Sequence, residues 1–197
     1  ILQRANANKL LCRFLRLSFK KYELKLASID GGGLRNAIPR EAMATVLVPS
    51  KDVSEFEADF GNFKELIVRE YKGIEDSISM KTSYVAAQSS VIPKAVALNL
   101  INAVCGCPNG VITMSISMPG LVQTSSNLAR VVSDGSTIKL QCLMRSSVNS
   151  EKDNLAEDIS AVFELAGANV ELSGGYDGWN PNMDSPILQA MSEGYGK

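Results

Sequence analysis

The sequence has no histidine among its 197 residues, and that absence removes whole classes of chemistry. A Ser-His triad cannot be assembled from these residues, and the hydrolytic zinc centres that depend on imidazole cannot be completed within them. An excess of charge of either sign is also missing: 20 basic side chains face 21 acidic ones, for a net charge of -1. No general field draws the chain toward nucleic acid or an anionic membrane, and neither is expected as a partner. No apolar run approaches the roughly 20 residues that cross a bilayer, and the first residues lack the pattern of a secretory signal. Aromatic residues make up only 6%. Tyr22 and Tyr84 alone fall on expected strands, which is too little for the stacking surface of an RNA-binding sheet. The few cysteines, Cys12, Cys105, Cys107 and Cys142, are irregularly spaced in a chain too large to need staples. They read as reduced thiols and favour a cytoplasmic location. Cys105-Gly106-Cys107 is half a metal site with no second cluster to complete it.

With 45% apolar residues the chain has the material for a sizeable core; a domain of this size buries roughly 70% of its unfolded surface. Ala5 to Leu17 has helical spacing, with Lys9, Arg13 and Arg16 read as a solvated basic face. Tyr22 to Leu26 alternates as a strand, and Ala42 to Val48 reads as its neighbour. Asp52 opens a helix whose stripe of Phe56, Phe60, Phe63 and Ile67 is expected to face the sheet. Its acids Asp52, Glu55, Glu57 and Asp59 suit the positive end of a helix and are not read as catalytic. Ile78 to Tyr84 alternates as a further strand.

After a joint at Ala86-Ala87-Gln88-Ser89-Ser90 a comparable order returns. A helix starts at Ser90 or Val91 with Pro93 in its first turn and stops at Gly106-Cys107-Pro108. Ile112 to Met118 reads as a strand with a polar face, and the strands Leu128 to Val132 and Ile138 to Met144 flank a tight turn at Asp134-Gly135. Ser150 caps a helix that Gly167 ends in the left-handed position. Val170 and Leu172 form a last strand. A connection over 174–182 leads to a short helix begun by Asp184-Ser185-Pro186. The fold expected is α+β: an antiparallel sheet with helices on one face, in two ferredoxin-like βαββαβ-type units, the first lacking its opening strand. A capping domain over 1–178, with repeats at about 1–88 and 89–178, is followed by a connection and helix over 179–197. Ile1 in place of a methionine, running straight into a helical pattern, suggests a piece cut from a longer protein.

Two places on this framework invite chemistry. Gly31-Gly32-Gly33-Leu34-Arg35-Asn36-Ala37-Ile38-Pro39-Arg40 joins permissive backbone to an amide that both donates and accepts. Asn36 either meets a ligand or satisfies its own turn. The spacing before Pro39 is not that of a phosphate loop. Alternation along Thr137 to Ser147 puts Ile138, Leu140, Cys142 and Met144 toward the helices and Lys139, Gln141 and Arg145 on the open face with Ser115 and Ser117. Arg145 either pairs with a surface acid or takes a carboxylate in its planar fork.

The pieces Arg4-Ala5-Asn6-Ala7-Asn8-Lys9, Gly31 through Ala42, Leu143-Met144-Arg145-Ser146-Ser147 and Gly178-Trp179-Asn180-Pro181-Asn182-Met183-Asp184-Ser185 together resemble the aminoacyl-histidine dipeptidases, Xaa-His dipeptidases related to carnosinases. The resemblance runs in order over essentially the whole chain. It implies the lid domain of a cytosolic enzyme whose catalytic domain, absent here, holds two zinc ions and cuts short peptides. It implies that the lid binds the dipeptide substrate through Asn36 and through Arg145, the latter at the C-terminal carboxylate, with no catalytic or metal-binding residue in this segment. The partners implied are the dipeptide, the catalytic domain of the same parent chain and, through the lid, a second subunit. The segment alone is expected to be inactive. The repeat and the glycine loop leave a different class open, a free-standing pair of ferredoxin-like units that binds a small metabolite or a partner strand as a regulatory module.

Overall fold

The computed structural model describes residues 4–86, 88–179 and 185–195. Helix α1, Ala7–Lys21, begins where the Asn6 side chain accepts the Lys9 N–H at 3.2 Å, and buries Cys12, Phe14, Leu15 and Phe19. It runs one turn past the expected end and leaves Leu17 52% exposed, because the inward stripe continues through Ser18 and Phe19. Its basic residues Lys9, Arg13 and Arg16, half-buried to exposed, are more than a solvated face, because each also bonds a neighbouring helix. The Lys9 ammonium donates to the carbonyls of Val104, Cys105 and Cys107 at 2.8, 2.9 and 2.7 Å, and so caps the end of α3, Lys94–Gly106. Arg13 forks onto Glu70 at 2.6 and 2.8 Å, at the end of α2, Val53–Glu70. Arg16 reaches Asn102 of α3 at 3.0 Å. Lying between two helices, α1 has its polar edges within reach of both.

The acids of α2 are likewise structural: Asp59 takes the Lys21 ammonium and the Tyr22 hydroxyl, each at 2.7 Å, and Glu57 accepts from Tyr84. The α2 stripe buries Phe56, Phe63 and Ile67, but its rings gather around Phe14 of α1, not against the sheet. Centroid distances from Phe14 to Phe56, Phe60 and Phe63 are 5.4, 5.2 and 5.3 Å, within the range of favourable aromatic packing.

The five strands, β1 Lys25–Gly31, β2 Ala42–Leu47, β3 Gly110–Met114, β4 Val122–Asp134 and β5 Thr137–Ser146, form one antiparallel sheet. Strand β4 is its axis. From Thr124 to Asp134 it pairs with β5 along one edge, while the other edge is shared by β3 at one end and β1 at the other. The β1–β4 ladder covers only Asp30 opposite Val132 and Gly31 opposite Val131. The Ser133 hydroxyl extends it, accepting the Ile29 N–H at 2.9 Å and donating to the Ile29 carbonyl at 3.1 Å. Leu26, Ile29, Leu128 and Val131 are buried in one core with Phe14, Ile67, Ile101, Val104 and residues Leu155, Ile159 and Phe163 of α4, Asn149–Leu165. The opposite sheet face carries Asp30, Lys139, Gln141 and Arg145, all exposed. The chain is thus α+β, an antiparallel sheet with its helices on one side.

α3 begins at Lys94, after Pro93 and not at Ser90 or Val91, and α4 begins at Asn149 with Val148, not Ser150, at its cap position. Further local expectations fail for identifiable reasons. Ile78–Tyr84 and Val170–Leu172 have no regular secondary structure and form no ladder among the described residues, although Ile78, Met80 and Val170 do pack on the core. Alternation reports one buried face; a strand also requires a neighbouring backbone to pair with. β3 stops at Met114, where the Ser115 hydroxyl accepts the Met118 N–H at 3.1 Å and meets Ser117 at 3.2 Å. These side-chain bonds replace the ladder, so Ser115 and Ser117 leave the open face and Ile116 is 97% exposed. The final helix α5, Pro186–Tyr195, matches its expected span. Residues 180–184 of the connection before it, and Ala87 of the joint, lie outside the described residues.

Candidate functional site

The glycine segment leaves β1 as a loop tied down at both ends and in the middle. The Gly32 N–H donates to the Glu41 carbonyl and the Ala7 N–H to the Pro39 carbonyl, both at 3.0 Å. A turn closes within it where the Ala37 N–H reaches the Leu34 carbonyl at 3.1 Å, putting Asn36 at the third position of the turn and exposed. From β4 the Asn127 amide donates to the carbonyls of Arg35 and Ala37 at 3.4 and 2.8 Å, and an Arg130 Nη donates to the Gly32 carbonyl at 3.1 Å. The loop therefore lies over the helix-free face of the sheet.

Arg145 is on that same face. It pairs with Ser125 in the β4–β5 ladder, two residues from the Asn127–Leu143 pair, or about 7 Å along the strand. The guanidinium of Arg145 and the side chain of Asn36 have no hydrogen-bond or ion-pair partner among the described residues. Among the described residues, then, neither a surface ion pair of Arg145 nor a turn bond of the Asn36 amide is formed. The structure brings both residues to one face, with Asn127 between the turn and the strand that carries Arg145.

The strand end is braced from behind. Glu151, in the first turn of α4, accepts from the hydroxyls of Thr124 and Thr113, the latter at 2.8 Å, and from the Gln123 amide at 2.7 Å. Thr124 also meets the Ser146 hydroxyl at 2.8 Å, and Ser146 takes the Val148 N–H at 3.0 Å. One carboxylate thereby clasps β3, β4 and the start of α4 next to Arg145. The Thr124 hydrogen bond, followed by that from Thr113, holds the Glu151 carboxyl below its usual value.

A third piece closes around the site. Gly174 passes beside the Arg35 guanidinium, and a Cβ at Gly178 would lie 2.7 Å from the carbonyl oxygens of Ser146 and Ser147. The same segment is fastened to α4: Lys152 donates to the Tyr176 carbonyl at 2.7 Å, and Asn149 exchanges hydrogen bonds with Asp177 and the Gly178 N–H at 3.1 and 2.6 Å. What reads as a plain connection in the sequence links the turn to the end of β5 and leaves Trp179 80% exposed there.

Asn127, Arg130 and Glu151 carry this geometry and were not singled out from the sequence. Asn127 falls just outside the strand expected at Leu128. The one available signal for the bulge was two buried residues, Leu128 and Val131, three apart where alternation requires two. An acid in the first turn of α4 was visible, but the strand hydroxyls converging on it were not.

The zinc ions that the resemblance implies do not fit on these residues. There is no histidine, and among the described residues no group of three or more metal-ligating side chains is gathered. No helix of the described residues is long and apolar enough to cross a membrane.

Fold and site define a class, an α+β domain that presents one polar sheet face with a tethered turn beside a guanidinium unpaired among the described residues. Residues 3–75 match the peptidase dimerisation domain family. Over 190 residues, 96% of the chain, it is 34% identical to the cytosol non-specific dipeptidase of Escherichia coli (strain K12), covering 39% of that protein. The crystal structure of aminoacylhistidine dipeptidase from Vibrio alginolyticus matches 98% of the chain with a TM-score of 0.93 and 37% identity, and 39% of that chain is covered. The chain belongs with the peptidase dimerisation domains, in the form found within these dipeptidases. It spans about two fifths of the length of either relative, 39% in each case.

Proposed function

We propose that this chain is the substrate-capping domain of a cytosolic two-zinc dipeptidase of the Xaa-His type, and that Asn36 and Arg145 are its contacts with the dipeptide. The metal centre and all catalytic residues belong to the remainder of the parent protein, and this segment alone hydrolyses nothing. Residues 1–178 form the cap, and 179–197 return the chain to the catalytic domain. The domain also joins two subunits, in keeping with the description of its family. The cytosolic location is supported by the name of the Escherichia coli relative and by the free state of all four cysteines.

The observation that carries the reading is the presence on one helix-free face of two polar side chains that have no partner among the described residues, each held by a rigid base. A fixed guanidinium fork takes a terminal carboxylate by two charge-assisted bonds, which favours dipeptides over longer chains. An amide at a tethered turn donates to a substrate carbonyl without reorganising. In the full-length protein, Arg145→Ala should lower kcat/KM for a dipeptide about tenfold to a hundredfold, as loss of a charge-assisted bond does. Metal content should stay constant, and the preference for a free over an amidated C-terminus should narrow. Unchanged kcat and KM in that variant would exclude Arg145 as the carboxylate contact.

A further inference from the structure

On a regular strand, residues three apart point to opposite faces. Asn127 and Arg130 break that rule. In the β4–β5 ladder Asn127 lies opposite Leu143, Leu128 opposite Cys142 and Arg130 opposite Gln141, which leaves Ala129 as one extra residue in β4. The bulge sends Leu128 into the core and brings both polar side chains out on the helix-free face. There they donate to the Arg35, Ala37 and Gly32 carbonyls of a single loop. The bulge also aims the Ala129 carbonyl at Gly32, so closely that a Cβ there would collide with it. Bulges are known to re-aim side chains beside functional sites.

We propose that this bulge is a positioning device for substrate recognition, with Asn127 as the residue that sets the direction of Asn36. The inference rests on the reading of Asn36 as a substrate contact. Asn127 grips the carbonyls on either side of Asn36, which fixes the flanking peptide units and leaves the Asn36 side chain only its own rotations. Because Asn127 faces Leu143, two residues before Arg145, the same amide ties the turn to the strand carrying the second contact. Such a support costs the site nothing when substrate arrives, since both donors are already engaged. Asn127 is a positioning residue and touches no substrate.

The test is a double-mutant cycle in the full-length protein, using a dipeptide ending in histidine, with metal content and thermal midpoint measured alongside. Asn127→Leu should lower kcat/KM about tenfold, the order of one lost hydrogen bond. In an Asn36→Ala background the same change should have almost no further effect, because Asn127 acts through Asn36. A full multiplicative loss in that background, or no loss in the single variant, overturns the proposal. If Asn36→Ala leaves activity unchanged while Asn127→Leu reduces it, the reading of Asn36 itself fails and takes this inference with it. Where Asn127→Leu does not fold, Asn127→Ser removes the bridge with a smaller polar side chain and carries the same comparison.

Discussion

Three adjacent glycines look equivalent in the sequence and are not. A Cβ at Gly31 would strike the Asn8 side chain and sit 2.7 Å from the Ala42 Cβ. Gly32 combines a backbone φ of 77° with the Ala129 carbonyl directly opposite, so a side chain there meets both torsional and steric opposition. Gly33 has open space around it. Gly32→Ala should therefore destabilise by about 1–3 kcal/mol or more, while Gly33→Ala should stay within about 0.5 kcal/mol of the parent. Denaturant midpoints of the two variants decide the matter, and equal midpoints would mean that the loop does not lie against β4 as described. The run of glycines marked the loop in the sequence. Which glycine is indispensable depends on a carbonyl from a distant strand.

At the scale of elements, Glu151 joins β3, β4 and α4 through a carboxylate whose pKa lies below its ordinary value of 4.5. A depressed carboxyl adds stability above its unfolded pKa and loses it as pH falls through the lower folded value. The thermal midpoint should thus fall in acid from about pH 5 downward, and Glu151→Gln should flatten that decline. Parallel profiles for the two proteins would assign the acid sensitivity elsewhere. Elements with strong local signals were legible: the α2 helix opening near Asp52 and the left-handed glycine after α4 occur where the sequence put them, although the α2 stripe packs on α1 and not on the sheet. Elements defined by their neighbours were less so. Ile78–Tyr84 has a strand's pattern without a strand's partner, and the basic edge of α1 has the look of a solvated face because nothing local reveals that α3 ends against Lys9. At the site, alternation put Arg145 on the correct face. Asn127 was missed because a bulge is an error in register, visible only once two strands are aligned.

At the scale of the molecule, α5 stands apart. Each of its residues whose burial is described is exposed, with Ile187, Met191 and Tyr195 at 72%, 56% and 90%. A ten-residue helix whose described side chains are all exposed has little packing to hold it, and on its own such a helix is marginal in water. In the isolated chain its amides should exchange with solvent at nearly unprotected rates while those of β4 exchange slowest, and in the full-length protein α5 should become protected. Hydrogen exchange followed by mass spectrometry reads both states, and early protection in the isolated chain would show that α5 needs no further contact. The bulge in β4 also has a reach beyond its own strand. A β4 shortened by Ala129 would lift the steric part of the veto on a side chain at position 32, and a larger residue at position 32 would in turn press β4 toward even pairing. Two stretches far apart along the polypeptide are therefore free to vary only in concert.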